Sequence, residues 1–239
     1  NIVAQSDDLG GESWLLPNLD SVRVAQPDRP HSFREVHAWR KGEYHGLTRV
    51  RSYTLTTNSH GLRGPEVQPK KPGTKRIIAI GDSVTHGWGV SEEDSFPYLL
   101  GTKLRALGHN VDVLNAGVPS NTDVAMQRWC TRKAPELEPD IIIWTRRVHQ
   151  QGPNPHGTYN QGVKACKKGT GADIIVALPP VSTFDVRGSQ NWANEHKRIE
   201  SDLGSTASAI VELTPIFRNA QAGRGVALET RGLKLAVVD

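Results

Sequence analysis

The residues with the clearest chemical potential lie together at 81–87, in the run Gly81-Asp82-Ser83-Val84-Thr85-His86-Gly87. A serine just past the apolar run Arg76–Ile80 and close to glycine stands where a strand gives way to a helix. There it can serve as an exposed nucleophile, because its own N–H and the start of the helix would favour an oxyanion forming beside it. The same run also fits an ordinary turn in which Asp82 or Ser83 merely caps the helix. A serine hydroxyl is a weak nucleophile without a base. His86 lies three residues on, and His149 and His156 fall on a loop expected at the same rim. His31, His37, His45 and His60 fit no metal-ligand spacing, and His109 and His196 have no context that recommends them.

The elements that would present this serine can be read from the apolar pattern. Arg76–Ile80, Val111–Leu114, Ile141–Trp144, Ile174–Leu178 and Ala209–Leu213 are short runs rich in Ile or Val, suited to parallel strands buried on both faces. Between them Phe96–Leu107, Asp123–Lys133, Tyr159–Lys168, Trp192–Leu203 and Pro215–Ala220 read as helices. Thr122 or Asn121 would cap the second of these and Gly108 would stop the first. Strand–helix alternation predicts an α/β fold, a doubly wound and mostly parallel five-stranded sheet with helices on both faces. Its functional residues should lie at the carboxyl ends of the strands. Residues 1–75 differ in texture: prolines punctuate them, 47–57 read as one or two strands, and 65–73 form a Pro-rich connector. The chain therefore divides into an N-terminal β-rich extension over 1–75 and an α/β domain over 76–239.

Three motifs give this pattern a family likeness. Gly81-Asp82-Ser83 with Thr85 and Gly87, the lead-in Asn58-Ser59-His60-Gly61-Leu62-Arg63-Gly64-Pro65-Glu66, and Asn115-Ala116-Gly117-Val118-Pro119-Ser120-Asn121-Thr122 resemble blocks of the SGNH, or GDSL, hydrolases. The likeness covers roughly 58–145 and implies a flavodoxin-like sheet and a serine esterase without a cofactor. It carries the role of nucleophile to Ser83, with the Ser83 N–H and the Gly117 N–H as oxyanion donors. Asp82 would support the turn. The family's third block places Asn and Asp after the third strand; here His149 and Gln150 stand at those positions, and Asn154 is a second candidate donor. The family's Asp-x-x-His follows the last strand. Leu233–Val238 reads as that strand, which makes Asp239 the orienting acid and puts the histidine base three residues beyond the sequence.

Composition narrows the alternatives. Hydrophobic residues make up 36% and charged residues 23% of 239, which excludes bulk disorder, and no apolar run approaches a membrane span. The net charge of +4 is concentrated in 1–75, where 11 basic face 8 acidic residues, without the basic, aromatic-interleaved stripe of a nucleic-acid site. The phosphate-loop and dinucleotide fingerprints are missing, and no metal site is expected. Cys130 and Cys166 read as two buried thiols or as one disulfide in an oxidising compartment. The sequence begins at Asn1, as a processed or excerpted protein would, so a periplasmic or secreted location is expected. Two functions follow. One is a serine esterase acting on an ester-bearing small molecule or glycan, with its base past Asp239. The other is a catalytically degenerate binding or scaffold subunit docking a protein partner through 1–57, where Trp14 and Trp39 stand out, with Arg146-Arg147 near the site.

Overall fold

The computed structural model describes residues 2–27, 50–145, 155–178, 197–213, 216, 227–230 and 233–236. The chain opens with two antiparallel pairs. Strands β1 (Val3–Ser6) and β2 (Glu12–Leu15) form one, and β3 (Val22–Pro27) and β4 (Val50–Leu55) form the other. The α/β part follows as β5 (Lys75–Gly81), α1 (Ser83–His86), α2 (Phe96–Ala106), β6 (Val111–Gly117), α3 (Asp123–Arg132) and β7 (Ile141–Thr145). After these come α4 (Pro155–Thr170), β8 (Asp173–Leu178), helix α5 over 197–203 and β9 (Ala209–Glu212).

These strands form a five-stranded parallel sheet in the order β6-β5-β7-β8-β9, the doubly wound arrangement expected. Ile77 to Ile80 on β5 are all buried, and Ile142 and Trp144 on β7 and Ile174 and Val176 on β8 are fully so. That is why these runs carry no polar alternation. The run expected as the last strand is a strand over Leu233–Ala236. It pairs antiparallel with β10 (Ala227–Thr230), outside the main sheet. Among the described residues no helix is long and apolar enough to cross a membrane.

Thr122 caps α3 by accepting from the Ala125 N–H at 3.0 Å. Met126, Trp129 and Cys130 on its inner face enter the core. Of the two readings of the cysteines, the structure has the disulfide: Cys130 and Cys166 join α3 to α4 with Cα atoms 5.3 Å apart. Closing that loop of 36 residues contributes roughly 4 kcal/mol in the chain-entropy view.

The described part of the N-terminal extension packs on its own α/β domain. Trp14 stacks flat on Trp129, ring centres 5.2 Å apart, and Leu9 and Leu15 join the same core. Arg128 donates to the Leu9 and Gly10 carbonyls, and Lys133 pairs with Asp8 at 2.7 Å. At the amino end of the sheet, Asp140 accepts from the Arg76 N–H at 2.7 Å and pairs with Lys70 at 2.7 Å and Lys75 at 3.3 Å. Partial burial works to raise its pKa, but these donors outweigh it and hold the carboxyl down at about 2.

Candidate active site

Strand β5 runs from the amino end straight through the core and stops at Gly81, beside the end of β6 at Gly117 in parallel register. Both ends are glycine because α1 lies across them. A Cβ on Gly81 would fall 2.0 Å from Thr85 Oγ1, and one on Gly117 would fall 2.1 Å from the His86 nitrogen. Asp82 is the N-cap of α1, its carboxylate accepting from the Val84 N–H at 3.0 Å. It supports the turn and leaves Ser83 as the first helical residue.

Ser83 is part-exposed at this strand end, next to Val84, which is half-exposed. Its carbonyl accepts from the Gly87 and Trp88 N–H groups, which pins the turn, while no hydrogen-bond partner of its hydroxyl is present among the described residues. The sheet order reverses around β5, since β6 lies on one side and β7 on the other. Ser83 therefore stands at the crevice where doubly wound folds bind ligands.

The other expected site residues divide sharply. The Gly117 N–H donates to Asn115 Oδ1 at 3.0 Å, so it is not a free oxyanion donor here. Its missing side chain makes room for α1. His86 does not face outward either: it is fully buried, with Nδ1 3.2 Å from the Gly117 carbonyl and Nε2 3.1 Å from the Tyr53 hydroxyl. Burial, reinforced by the nearby Arg63 charge, lowers its pKa to about 4. A neutral imidazole with both nitrogens engaged is no base for Ser83. His149, Gln150, Asn154, Asp239 and the Arg146-Arg147 pair lie outside the described residues.

The structure adds residues that the motifs alone left without a role. Arg63, from the lead-in, is buried and donates to the carbonyls of His86 at 2.7 Å, Gly87 at 2.8 Å and Val90 at 2.8 Å. Its N–H also bonds the Asn115 carbonyl. Tyr53 comes from β4, and burial pushes its hydroxyl up to about 12. The sequence signal for Arg63 and Asn115 was their place in the quoted motifs; Tyr53 had none. Asn121 Nδ2, Thr85 Oγ1 and Thr145 Oγ1 are buried around the same strand ends without a hydrogen-bond partner among the described residues. Among the described residues no group of three or more His, Cys, Asp or Glu side chains could hold a metal ion.

No protein-family model and no curated protein matches this sequence. Solved structures do. A mutant of Axe2, an acetyl-xylooligosaccharide esterase from Geobacillus, matches at TM-score 0.50 and 15% identity, over 64% of this chain and 83% of that one. TesA matches at 0.47 and 16%, over 68% and 89%. AlinE4, an SGNH-hydrolase family esterase, matches at 0.44 and 22%, over 65% and 82%. The likeness is one of fold: this chain has the α/β fold of the SGNH/GDSL hydrolases.

Proposed function

We propose, from the SGNH-type fold, that the protein is a serine ester hydrolase in which Ser83 is the nucleophile. The observation that carries this reading is the position of Ser83. It is the first residue past the Asp82 cap, part-exposed at the carboxyl end of β5 where the sheet order reverses. In the reaction, Ser83 Oγ attacks the ester carbonyl and its proton passes to a general base. The oxyanion is met by the Ser83 N–H, and collapse expels the alcohol, which takes the proton back. Water then attacks the acyl-serine, releasing the carboxylic acid and restoring the hydroxyl. His149 is a candidate for that base and Asp239 for the acid that orients it, and both lie outside the described residues. Because α1 is only four residues long, it adds little dipole of its own, and the oxyanion depends on individual N–H donors.

An ester or O-acetyl group is the substrate class, and Axe2 makes an acetylated sugar the first natural substrate to try. The Cys130–Cys166 disulfide supports a periplasmic or secreted location. The test is to treat the full-length protein with p-nitrophenyl acetate and a fluorophosphonate probe. Turnover and labelling that disappear in Ser83→Ala are expected; labelling that persists in the variant, or none in the parent, overturns the reading.

A second reading, a catalytically degenerate SGNH-like binding subunit, is favoured by one observation. The Gly117 N–H and both His86 ring nitrogens are spent on internal bonds. An unreactive Ser83 in the full-length protein is the outcome it predicts.

A further inference from the structure

The buried groups around α1 that take no part in the proposed chemistry form one connected set. Gly117 O can only accept, so the hydrogen on the His86 ring is at Nδ1, and Nε2 takes the Tyr53 O–H. The Tyr53 hydroxyl holds its proton at any ordinary pH, which suits it as a permanent donor. Arg63 completes the set: its guanidinium carbon is 5.0 Å from the Tyr53 ring centre, and its nitrogens reach the carbonyls of His86, Gly87 and Val90. His86 and Gly87 close this four-residue helix, and Val90 lies just past it, so Arg63 braces the end of α1 and the turn that follows.

A helix this short has no ladder of its own to hold its direction. Besides β5, on whose end it lies, its orientation comes from β4 through Tyr53, the 58–66 segment through Arg63, and β6 through Asn115 and Gly117. Trp88 packs edge-on against Tyr53, on the cluster that Tyr53 forms with Val24 and Leu55. We propose that Tyr53 and His86 are positioning residues. The Tyr53–His86–Gly117 chain of hydrogen bonds sets the pitch of α1, and through it the aim of Ser83, so that the β3–β4 pair is a working part of the active site. The inference rests on the reading of Ser83 as nucleophile.

The test measures the second-order rate of Ser83 labelling by a fluorophosphonate probe, alongside the melting temperature. Tyr53→Phe keeps the ring and its packing and removes only the hydroxyl. His86→Asn keeps an amide donor for Gly117 O but leaves Tyr53 unserved. Each is expected to slow labelling about tenfold, within the range that small misplacement of a reacting group produces. Because both break the same link, the double variant should be no slower than either single one. Arg23→Ala, in the same strand pair but bonded to Ser52 on the exposed side, should label at the parent rate. Leu55→Val separates aim from stability, since it loosens the same buried cluster without touching the hydrogen bonds. It should lower the melting temperature and leave the labelling rate of the folded protein intact.

Parent-like labelling of Tyr53→Phe, additive losses in the double variant, or rates that follow melting temperature across all variants would each overturn the positioning role. An unlabelled parent removes the nucleophile reading, and the inference with it. A labelled parent with an indifferent Tyr53→Phe removes the inference alone.

Discussion

At the amino end of the parallel sheet, Asp140, Arg76, Asp112 and Asp173 are tied into pairs and to backbone groups. At the carboxyl end, Thr85 Oγ1, Thr145 Oγ1 and Asn121 Nδ2 are buried without a hydrogen-bond partner among the described residues. The strands are shared, so the contrast lies in how each end is paired among the described residues. An unpaired buried polar group costs about 1–3 kcal/mol, and native chains concentrate such costs where function asks for them. The amino end anchors the strands; at the carboxyl end these three polar groups meet no partner among the described residues.

The largest effect expected from testing that contrast is on chemistry alone. Ser83→Ala should cut ester turnover on the order of a thousandfold or more, measured with p-nitrophenyl acetate, while leaving the melting temperature nearly unchanged. The opposite pattern should come from Arg76→Ala at the other end. Arg76 is buried, bonds Asp112, and donates to the Leu137 and Gln68 carbonyls. Its loss should cost about 3–4 kcal/mol in urea unfolding, with no change in the labelling rate of the folded protein.

Acid should reach the two ends in sequence. His86 has a folded pKa of about 4, below the 6.5 of an ordinary histidine. The unfolded chain therefore takes up the proton first as pH falls, and stability is full above 6.5 and drops through the window down to about 4. That window should carry about 3 kcal/mol, and His86→Asn should flatten it in unfolding curves taken from pH 7 to 4. Asp140 is also depressed, to about 2 from 3.8, so its contribution is present above 3.8 and lost only below that. Asp140→Asn should cost about 2 kcal/mol at neutral pH and leave the slope between pH 6.5 and 4 untouched.

The smallest effect is the most pointed test of the contrast. Thr145→Val removes a hydroxyl that has no partner among the described residues, and should change stability by less than about 1 kcal/mol. A loss of 2 kcal/mol or more in the same unfolding assay would mean that the carboxyl end is as fully paired as the amino end.

What the sequence determined by itself was whatever depends on near neighbours in the chain. Runs such as Arg76–Ile80 and Ile174–Leu178 suited buried strands, because short runs rich in Ile and Val without polar alternation leave no face for water. Short polar side chains marked the two helix starts, leaving Asp82 or Ser83 and Thr122 or Asn121 as caps until the fold chose Asp82 and Thr122, and Ser83 stands at a strand end because the strand before it was legible. Tertiary structure decided which way groups point and what is left over. Gly117 has a backbone N–H in any fold, but only the folded turn hands it to Asn115. His86 is three residues from Ser83 in sequence, yet a helix turn sends its ring inward to a tyrosine 33 residues earlier. The final strand run was legible, but its partner was not, because pairing is a choice among distant edges. A hydrogen bond is made by whichever donor and acceptor meet in space, and for the groups around Ser83 that meeting is arranged by strands far apart along the chain.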